Sequence, residues 1–291
     1  MTRLKADLSL LLAALIWGTA FVAQKYANDS MPPILFVGCR FIISALLVAP
    51  LALYETRKLA QPLSRRDWSY GAQIGLCLFA SVAGQQIGMV TTTATNAGFL
   101  TALYVVLVPV VAWLMHRHAP SLTVVGACAV SLAGAWMLAG KSSLTGWNHG
   151  DLLVVFSDIF FALQIILVAR FLRKGERPFL LSFLQYLVSG VIGIVVGALV
   201  EPVEISGILA AGPAILYAGL LSGGVAFTLQ IIAQRHTPAA EAAIIMSLES
   251  VFAAIAGAVM LGDRLQTNGI IGCVLILAGV VLVQLVPSEK G

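Results

Sequence analysis

"AWMLAGKSSL", Ala135 to Leu144, separates a soluble nucleotide-binding chain from a membrane-embedded one. An alanine, four residues and then Gly140-Lys141-Ser142 nearly spell a phosphate-binding loop, with alanine where the first glycine belongs. Such a loop wraps phosphates in backbone N–H groups, with the lysine adding charge, and it needs a strand before it and a helix after it. With that context the chain would be a soluble nucleotide-binding domain. The context is absent. "AWMLA" closes an apolar run that starts at Leu122, and no acid on a following strand is placed to hold a metal–nucleotide complex. Gly140-Lys141-Ser142 reads as a helix end with an interfacial lysine, so no nucleotide is expected as a partner.

Outward from this stretch, the whole chain has the same character. Its 291 residues are 59% hydrophobic and only 10% charged, and its mean hydropathy is +0.97. Soluble domains carry about 25% charged residues. Too few polar groups exist to cover a water-facing surface, so an all-α integral membrane protein is expected. The net charge of +4 suggests nucleic acid at first sight. The basic residues are better read as topogenic, and no nucleic-acid partner is assigned. Cys39, Cys77, Cys128 and Cys273 sit inside apolar runs without CxxC spacing, as small packing residues. His116, His118, His149 and His236 fall in loops or at helix ends, so neither a metal nor any other cofactor is expected.

A spanning helix needs roughly 20 apolar residues. Ten segments qualify: Leu8–Ala27, Ile34–Leu53, Tyr70–Val90, Asn96–Met115, Leu122–Gly140, Asp151–Phe171, Phe179–Leu199, Pro213–Gln234, Ala240–Leu261 and Gly269–Val286. The first resembles a secretory signal, but Phe21 and Ala23 make a poor cleavage site and Trp17 lies mid-run, so it reads as a retained helix. Arg3, Lys5, Arg57, Lys58, Arg65, Arg66, Arg117, Arg170, Arg173, Lys174, Arg177, Arg235 and Lys290 fall on one side of this arrangement. Only Lys25, Lys141 and Arg264 fall on the other, and Arg40 lies inside a span. By the positive-inside rule both termini are cytoplasmic.

The chain is also a duplication. Asp7-Leu8 and Asp151-Leu152 open two halves, 1–145 and 146–291. Ala97-Gly98-Phe99-Leu100 matches Ala242-Ala243-Ile244-Ile245, and Leu132-Ala133-Gly134 matches Leu277-Ala278-Gly279. Five spans per half is an odd number, so the second copy enters the membrane from the opposite side. Inverted repeats of this kind support alternating access to a site near the midplane.

Several stretches carry a family resemblance: Trp17 to Lys25, "PPILFVGCRF" (Pro32 to Phe41), "QQIGMVTTTATNAGFLTALYVVLVP" (Gln85 to Pro109), "LQIIAQRHTPAAEAAIIMSLESVFAA" (Leu229 to Ala254), Leu261 to Arg264 and Gly272 to Gly279. Together, and over nearly the whole chain, they resemble the EamA-type branch of the drug/metabolite transporter superfamily. The resemblance implies a ten-helix carrier of the bacterial inner membrane that moves metabolites, often amino acids including aromatic ones, out of the cell. It implies a central cavity lined by the first, third and fourth helices and their counterparts, with the fifth and tenth helices peripheral. The chain departs from the pattern at Ser250, where proline is usual, at Asp263 in place of glutamate, and at Asp158, where a small apolar residue is common.

Ionisable residues inside a bilayer face a cavity or a partner. Glu249, midway along the ninth span, aligns with Tyr104 in the fourth, and both are candidate substrate contacts. Asp158 and Glu249 are candidate proton or charge sites. Arg40, early in the second span, is expected to snorkel to the interface. Ala13, Trp17, Phe21 and Gln24 form one stripe of the first helix; Ser157, Phe161, Gln164 and Val168 form one of the sixth. A stripe with one aromatic and one amide suits a zwitterion with an apolar side chain, which makes Trp17, Gln24, Ser157, Phe161 and Gln164 candidate binding residues. Gln85 and Gln230 are repeat mates, one toward each side of the midplane, as a gate pair would be. Pro109 is expected to permit a kink.

The expectation is a secondary transporter of small metabolites, with amino acids ahead of drugs, sugars or other cargo. Few charges are available to neutralise phosphates. A channel is compatible with the repeat. An intramembrane protease built on Asp158 would need a second acid and a GxGD-type segment, and neither is visible in the sequence. No oligomer is assigned.

Overall fold

The computed structural model describes residues 1–59, 62–117, 119–139, 148–173, 177–261 and 267–285. Among these the chain is helical, without a strand. The helices are α1 (Arg3–Ser30), α2 (Pro33–Leu59), α3 (Arg65–Gly88), α4 (Ala94–Thr101), α5 (Tyr104–His116), α6 (Leu122–Ala139), α7 (His149–Leu172), α8 (Pro178–Val200), α9 (Ile205–Ala210) and α10 (Gly212–Leu216). A π-helical stretch, Tyr217–Phe227, leads into α11 (Thr228–Ala233). Next come α12 (Ala239–Met246), α13 (Glu249–Ala256), a short π-helical turn, Gly257–Leu261, and α14 (Thr267–Leu285).

Eight helical stretches among the described residues are long and apolar enough to cross a bilayer. α6 is a shorter apolar helix, and α3, at 24 residues, is long enough but more polar. Large apolar side chains such as Leu46, Leu199, Val259 and Val274 face outward, as lipid contacts do. Gly140-Lys141-Ser142, Lys174, Asp263, Arg264, Lys290 and His118 lie outside the described residues.

Helix starts follow local chemistry. Ser64 and Asp67 form a capping box that opens α3, and Asn148 and Asp151 form another that opens α7. Proline begins α2 and α8, where its missing N–H does no harm. Two further caps come from distant sequence. The Glu201 carboxylate, at the end of α8, accepts from the Ile34 and Leu35 N–H groups at 3.0 and 2.8 Å. The Glu55 carboxylate, near the end of α2, accepts from the Leu180 N–H at 2.8 Å. Each member of the α2–α8 pair thus caps the other, at positions about 145 residues apart in sequence.

α2 packs along α8, α6 along α14, and α3 between α7 and α8. The glycine pairs of α3 allow its two contacts: Gly71 and Gly75 face Leu184 and Val188, while Gly84 and Gly88 face Ser157 and Gly150.

Three expected spans are not continuous α-helices. The fourth breaks at Ala102-Leu103, between α4 and α5. The ninth breaks at Ser247-Leu248, between α12 and α13, again 145 residues on. The eighth widens into the π-helical stretch. The helix runs on through Pro109, so the break lies seven residues before the proline expected to cause it. Proline leaves the carbonyl four residues earlier without its helical donor. That carbonyl, Val105, accepts from the Cys128 thiol at 3.3 Å.

Candidate functional site

α1 crosses the middle of the bundle and contacts α13, the π-helical stretch, α12 and α4. It comes unusually close to α13 at Gly18. A Cβ there would lie 2.7 Å from the Glu249 carbonyl oxygen and 2.8 Å from the Ala253 nitrogen. This approach holds the Glu249 region against Trp17 and Phe21.

The result is a small buried cavity. Trp17, Phe21 and Gln24 of α1 line it with Arg40 of α2, Ser81, Val82 and Gln85 of α3, Thr101 of α4, Phe161 of α7, Ser222 and Phe227 of the π-helical stretch, and Glu249 of α13. It offers about 30 Å³, room for roughly two water molecules. Three aromatic rings form one wall. Trp17 lies 4.6 Å from Phe227 and 5.9 Å from Phe161, and its indole N–H donates to the Ser222 carbonyl at 3.1 Å. Larger grooves elsewhere, such as that between Thr19, Tyr26 and Tyr217, are mainly apolar and open outward.

Arg40 corrects an expectation. It does not snorkel; it is 2% exposed and reaches into the bundle. Its guanidinium donates to Gln24 Oε1 at 2.8 Å and to Ser222 Oγ at 2.9 Å, and it lies over the Phe41 ring at 5.2 Å. Its Nε has no hydrogen-bond partner among the described residues. At Arg40, about two turns into α2, the helix already packs against the π-helical stretch and α1, so the interface is out of reach.

The other predicted residues divide into three groups. Trp17, Gln24, Gln85, Phe161 and Glu249 line the cavity, with Gln85 donating to Thr101 Oγ1 at 2.8 Å. Tyr104 and Asp158 lie behind the lining. The Tyr104 ring meets Phe161 edge-on at 4.9 Å, and its hydroxyl approaches Glu249 without closing a hydrogen bond of normal geometry. Asp158 interacts electrostatically with Glu249 and Tyr104. The sequence offered Asp158 no second acid; the fold brings Glu249 to it.

Ser157, Gln164 and Gln230 do not line the cavity. Ser157 donates to its own Val154 carbonyl at 2.6 Å. Gln164 and Gln230 belong to a buried amide chain: Gln230 donates to Gln164 Oε1 at 3.0 Å, and Gln164 donates to Gln185 Oε1 at 3.1 Å. Gln85 and Gln230 therefore have unlike surroundings. Arg40, Ser222, Phe227 and Thr101 are cavity residues that the sequence reading missed. Ser222 and Phe227 had no detectable signal, because the π-helical register breaks the 3.6-residue period.

Polar contacts bracket the cavity along α1. Upstream, Asp7 accepts from the Thr237 hydroxyl at 2.8 Å, and Arg3 is paired with Glu241. His236, beside Thr237, has its imidazole held below the usual range by desolvation, then by the N-terminal amine and Arg235. Downstream, the Lys25 ammonium donates to the carbonyls of Met89 at 2.8 Å and Thr92 at 3.0 Å. There Asp151 accepts from the Thr92 hydroxyl and, at 2.7 Å, from the Asn96 amide. Asp7 and Asp151 are 144 residues apart and Thr92 and Thr237 are 145, so the two carboxylate–threonine contacts are counterparts. One joins α1 to the start of α12, the other α7 to the start of α4.

Comparison with known proteins agrees with this architecture. The chain is 34% identical over 287 residues to an uncharacterised transporter from Archaeoglobus fulgidus, covering 97% of this chain and 87% of that one. It is 26% identical over 281 residues to the uncharacterised inner membrane transporter YedA of Escherichia coli K12, covering 93% and 88%. A crystal structure at 20% identity superposes with a TM-score of 0.78, covering 96% of both chains. The EamA-like transporter family matches twice, over residues 4–140 and 148–285, and this chain, a multi-pass membrane transporter, belongs to that family.

Proposed function

We propose that this transporter is a secondary carrier that exports small amino-acid-like metabolites, aromatic ones included, across the inner membrane by alternating access. The observation that carries the reading is the buried aromatic-lined cavity, with Arg40 and Glu249 in its wall, set between two counterpart latches. With both latches closed the cavity is too small for an amino acid, as an occluded state requires. Opening one latch at a time would expose it to one side and then the other.

Ten spans, arranged as two inverted halves 1–145 and 146–291 with both termini cytoplasmic, fit this mechanism. The reciprocal caps of Glu55 and Glu201, the paired breaks at Ala102-Leu103 and Ser247-Leu248, and the double family match support that arrangement. Discontinuous helices near the midplane supply substrate sites in such carriers. The inner-membrane placement draws on the name of YedA.

The test is uptake of labelled amino acids into liposomes containing the purified protein, with and without a pH gradient. Saturable uptake competed by aromatic and apolar amino acids is expected. A folded sample that transports no amino acid would exclude the substrate assignment and leave the carrier architecture.

A further inference from the structure

Four of the buried polar atoms without a hydrogen-bond partner among the described residues belong to three side chains that interact with one another. Among the described residues, Asp158 has neither carboxylate oxygen in a hydrogen bond, and Glu249 Oε1 and the Tyr104 hydroxyl also lack one. All three side chains are at most 2% exposed. Buried polar atoms are paired in the great majority of cases, so a cluster of four without partners marks a place where a partner is supplied from outside. The atoms are acceptors, apart from the hydroxyl, which can act either way. They call for a donor-rich, positively charged group. The ion pairs seen among the described residues, Arg3 with Asp7 and Glu241 and Arg177 with Asp67, lie elsewhere.

The opposite requirement exists in the same cavity wall. Arg40 donates to two neutral groups, Gln24 and Ser222, and keeps its Nε unpaired among the described residues. A guanidinium in this setting is ready for a carboxylate, which it binds in a fork. Between the two poles lie the rings of Trp17, Phe161 and Phe227.

We infer that the cavity holds a zwitterion in a fixed direction, its carboxylate on Arg40 and its ammonium on Glu249, Asp158 and Tyr104, with an apolar side chain against the three rings. The inference rests on the amino-acid reading above and adds the two seats and their residues. Gln24 and Ser222 position Arg40; they come from opposite halves of the chain, so the carboxylate seat forms only when the halves close on each other. Asp158 reaches the ammonium once the cavity expands past Phe161, three residues along the same helix face.

The test is competition against labelled L-phenylalanine counterflow in proteoliposomes, using phenylalanine, its decarboxylated amine and its deaminated acid. In the unmodified carrier, each truncated analogue is expected to compete at least tenfold more weakly than phenylalanine. In R40Q the discrimination against the amine should collapse while that against the acid persists. In D158N and E249Q the pattern should reverse. Substitutions that only disturb packing would weaken all three compounds alike and leave the ratios unchanged, and unchanged ratios overturn the inference. Ratios that move in D158N and E249Q only when the pH gradient is varied would also overturn it, assigning those acids to a proton. Absence of counterflow with any amino acid, from a monodisperse sample, would remove the amino-acid reading itself.

Discussion

Removing one latch should open one face of the carrier and leave the other closed. Thr92→Val and Thr237→Val each delete one hydroxyl at nearly constant shape. The hydroxyl of Thr237 donates to Asp7 at 2.8 Å, and that of Thr92 donates to Asp151. A hydrogen bond to a charged group is worth about 1.5–3 kcal/mol. Asp151 keeps the Asn96 amide and its helix cap, and Asp7 keeps Arg3 at 3.7 Å. The lower figure therefore applies, and about 1.4 kcal/mol is a tenfold change in an equilibrium. Each variant should raise the population open on its own face about tenfold. The assay is labelling of a single cysteine, Ser81→Cys, in a carrier without its native cysteines, using a membrane-impermeant maleimide on right-side-out and inverted vesicles. Ser81 lines the cavity and is buried. Thr92→Val should speed labelling from one face and Thr237→Val from the opposite face. Acceleration from the same face in both, or less than a twofold change in either, would refute the counterpart-latch reasoning.

Gly18→Val should lower the melting temperature in detergent and broaden the gel-filtration peak. The new Cβ would sit 2.7 Å from the Glu249 carbonyl oxygen, and overpacking of this kind costs about 1–3 kcal/mol; an unchanged melting temperature would contradict the close α1–α13 approach. Glu201→Ala and Glu55→Ala each uncap a helix, at about 1 kcal/mol apiece. Because the caps lie at opposite ends of the α2–α8 pair, the double variant should show the sum in thermal unfolding. Cys128→Ala should destabilise by less than about 1 kcal/mol, since a neutral hydrogen bond contributes about that much. The effect should shrink in a Pro109→Ala background, where the Val105 carbonyl regains a backbone donor; an undiminished effect would show that the thiol acts through packing alone.

The membrane-spanning character was legible because bilayer thickness imposes a length and a hydropathy, which eight helical stretches among the described residues meet. The likeness of Ala97–Leu100 to Ala242–Ile245, in α4 and α12, was legible as small and apolar residues recurring in order. The helix breaks were not. Neither Ala102-Leu103 nor Ser247-Leu248 contains glycine or proline, so they arise from how α4, α5, α12 and α13 pack across the bundle, and the one visible breaker, Pro109, lies elsewhere. Asp7 and Asp151 were visible as matching first acids of the two halves, but their threonine partners are 230 and 59 residues away. Arg40 was misjudged from its nearness to a helix start; whether a side chain can snorkel depends on what surrounds it. Ser157 and Gln164 shared a helical stripe with Phe161, yet only Phe161 borders the cavity, because Ser157 packs on α3 at Gly84 and Gln164 is held by Gln185 and Gln230.

The crossed caps of Glu55 and Glu201 bear on how the protein is made. When α2 leaves the ribosome, the N–H groups of Ile34 and Leu35 have no carboxylate to accept them, because Glu201 is still about 166 residues away. At synthesis rates of about 5–20 residues per second, that wait lasts about 10–30 s. During it the first half must remain beside the insertion machinery or in contact with lipid headgroups, with one of its helices unfinished. The arrival of α8 then completes α2 and is itself completed by Glu55 in the same step. Assembly of the two halves is therefore a closing event late in synthesis, and two halves expressed as separate chains should each be cleared rapidly by proteolysis yet persist when made together.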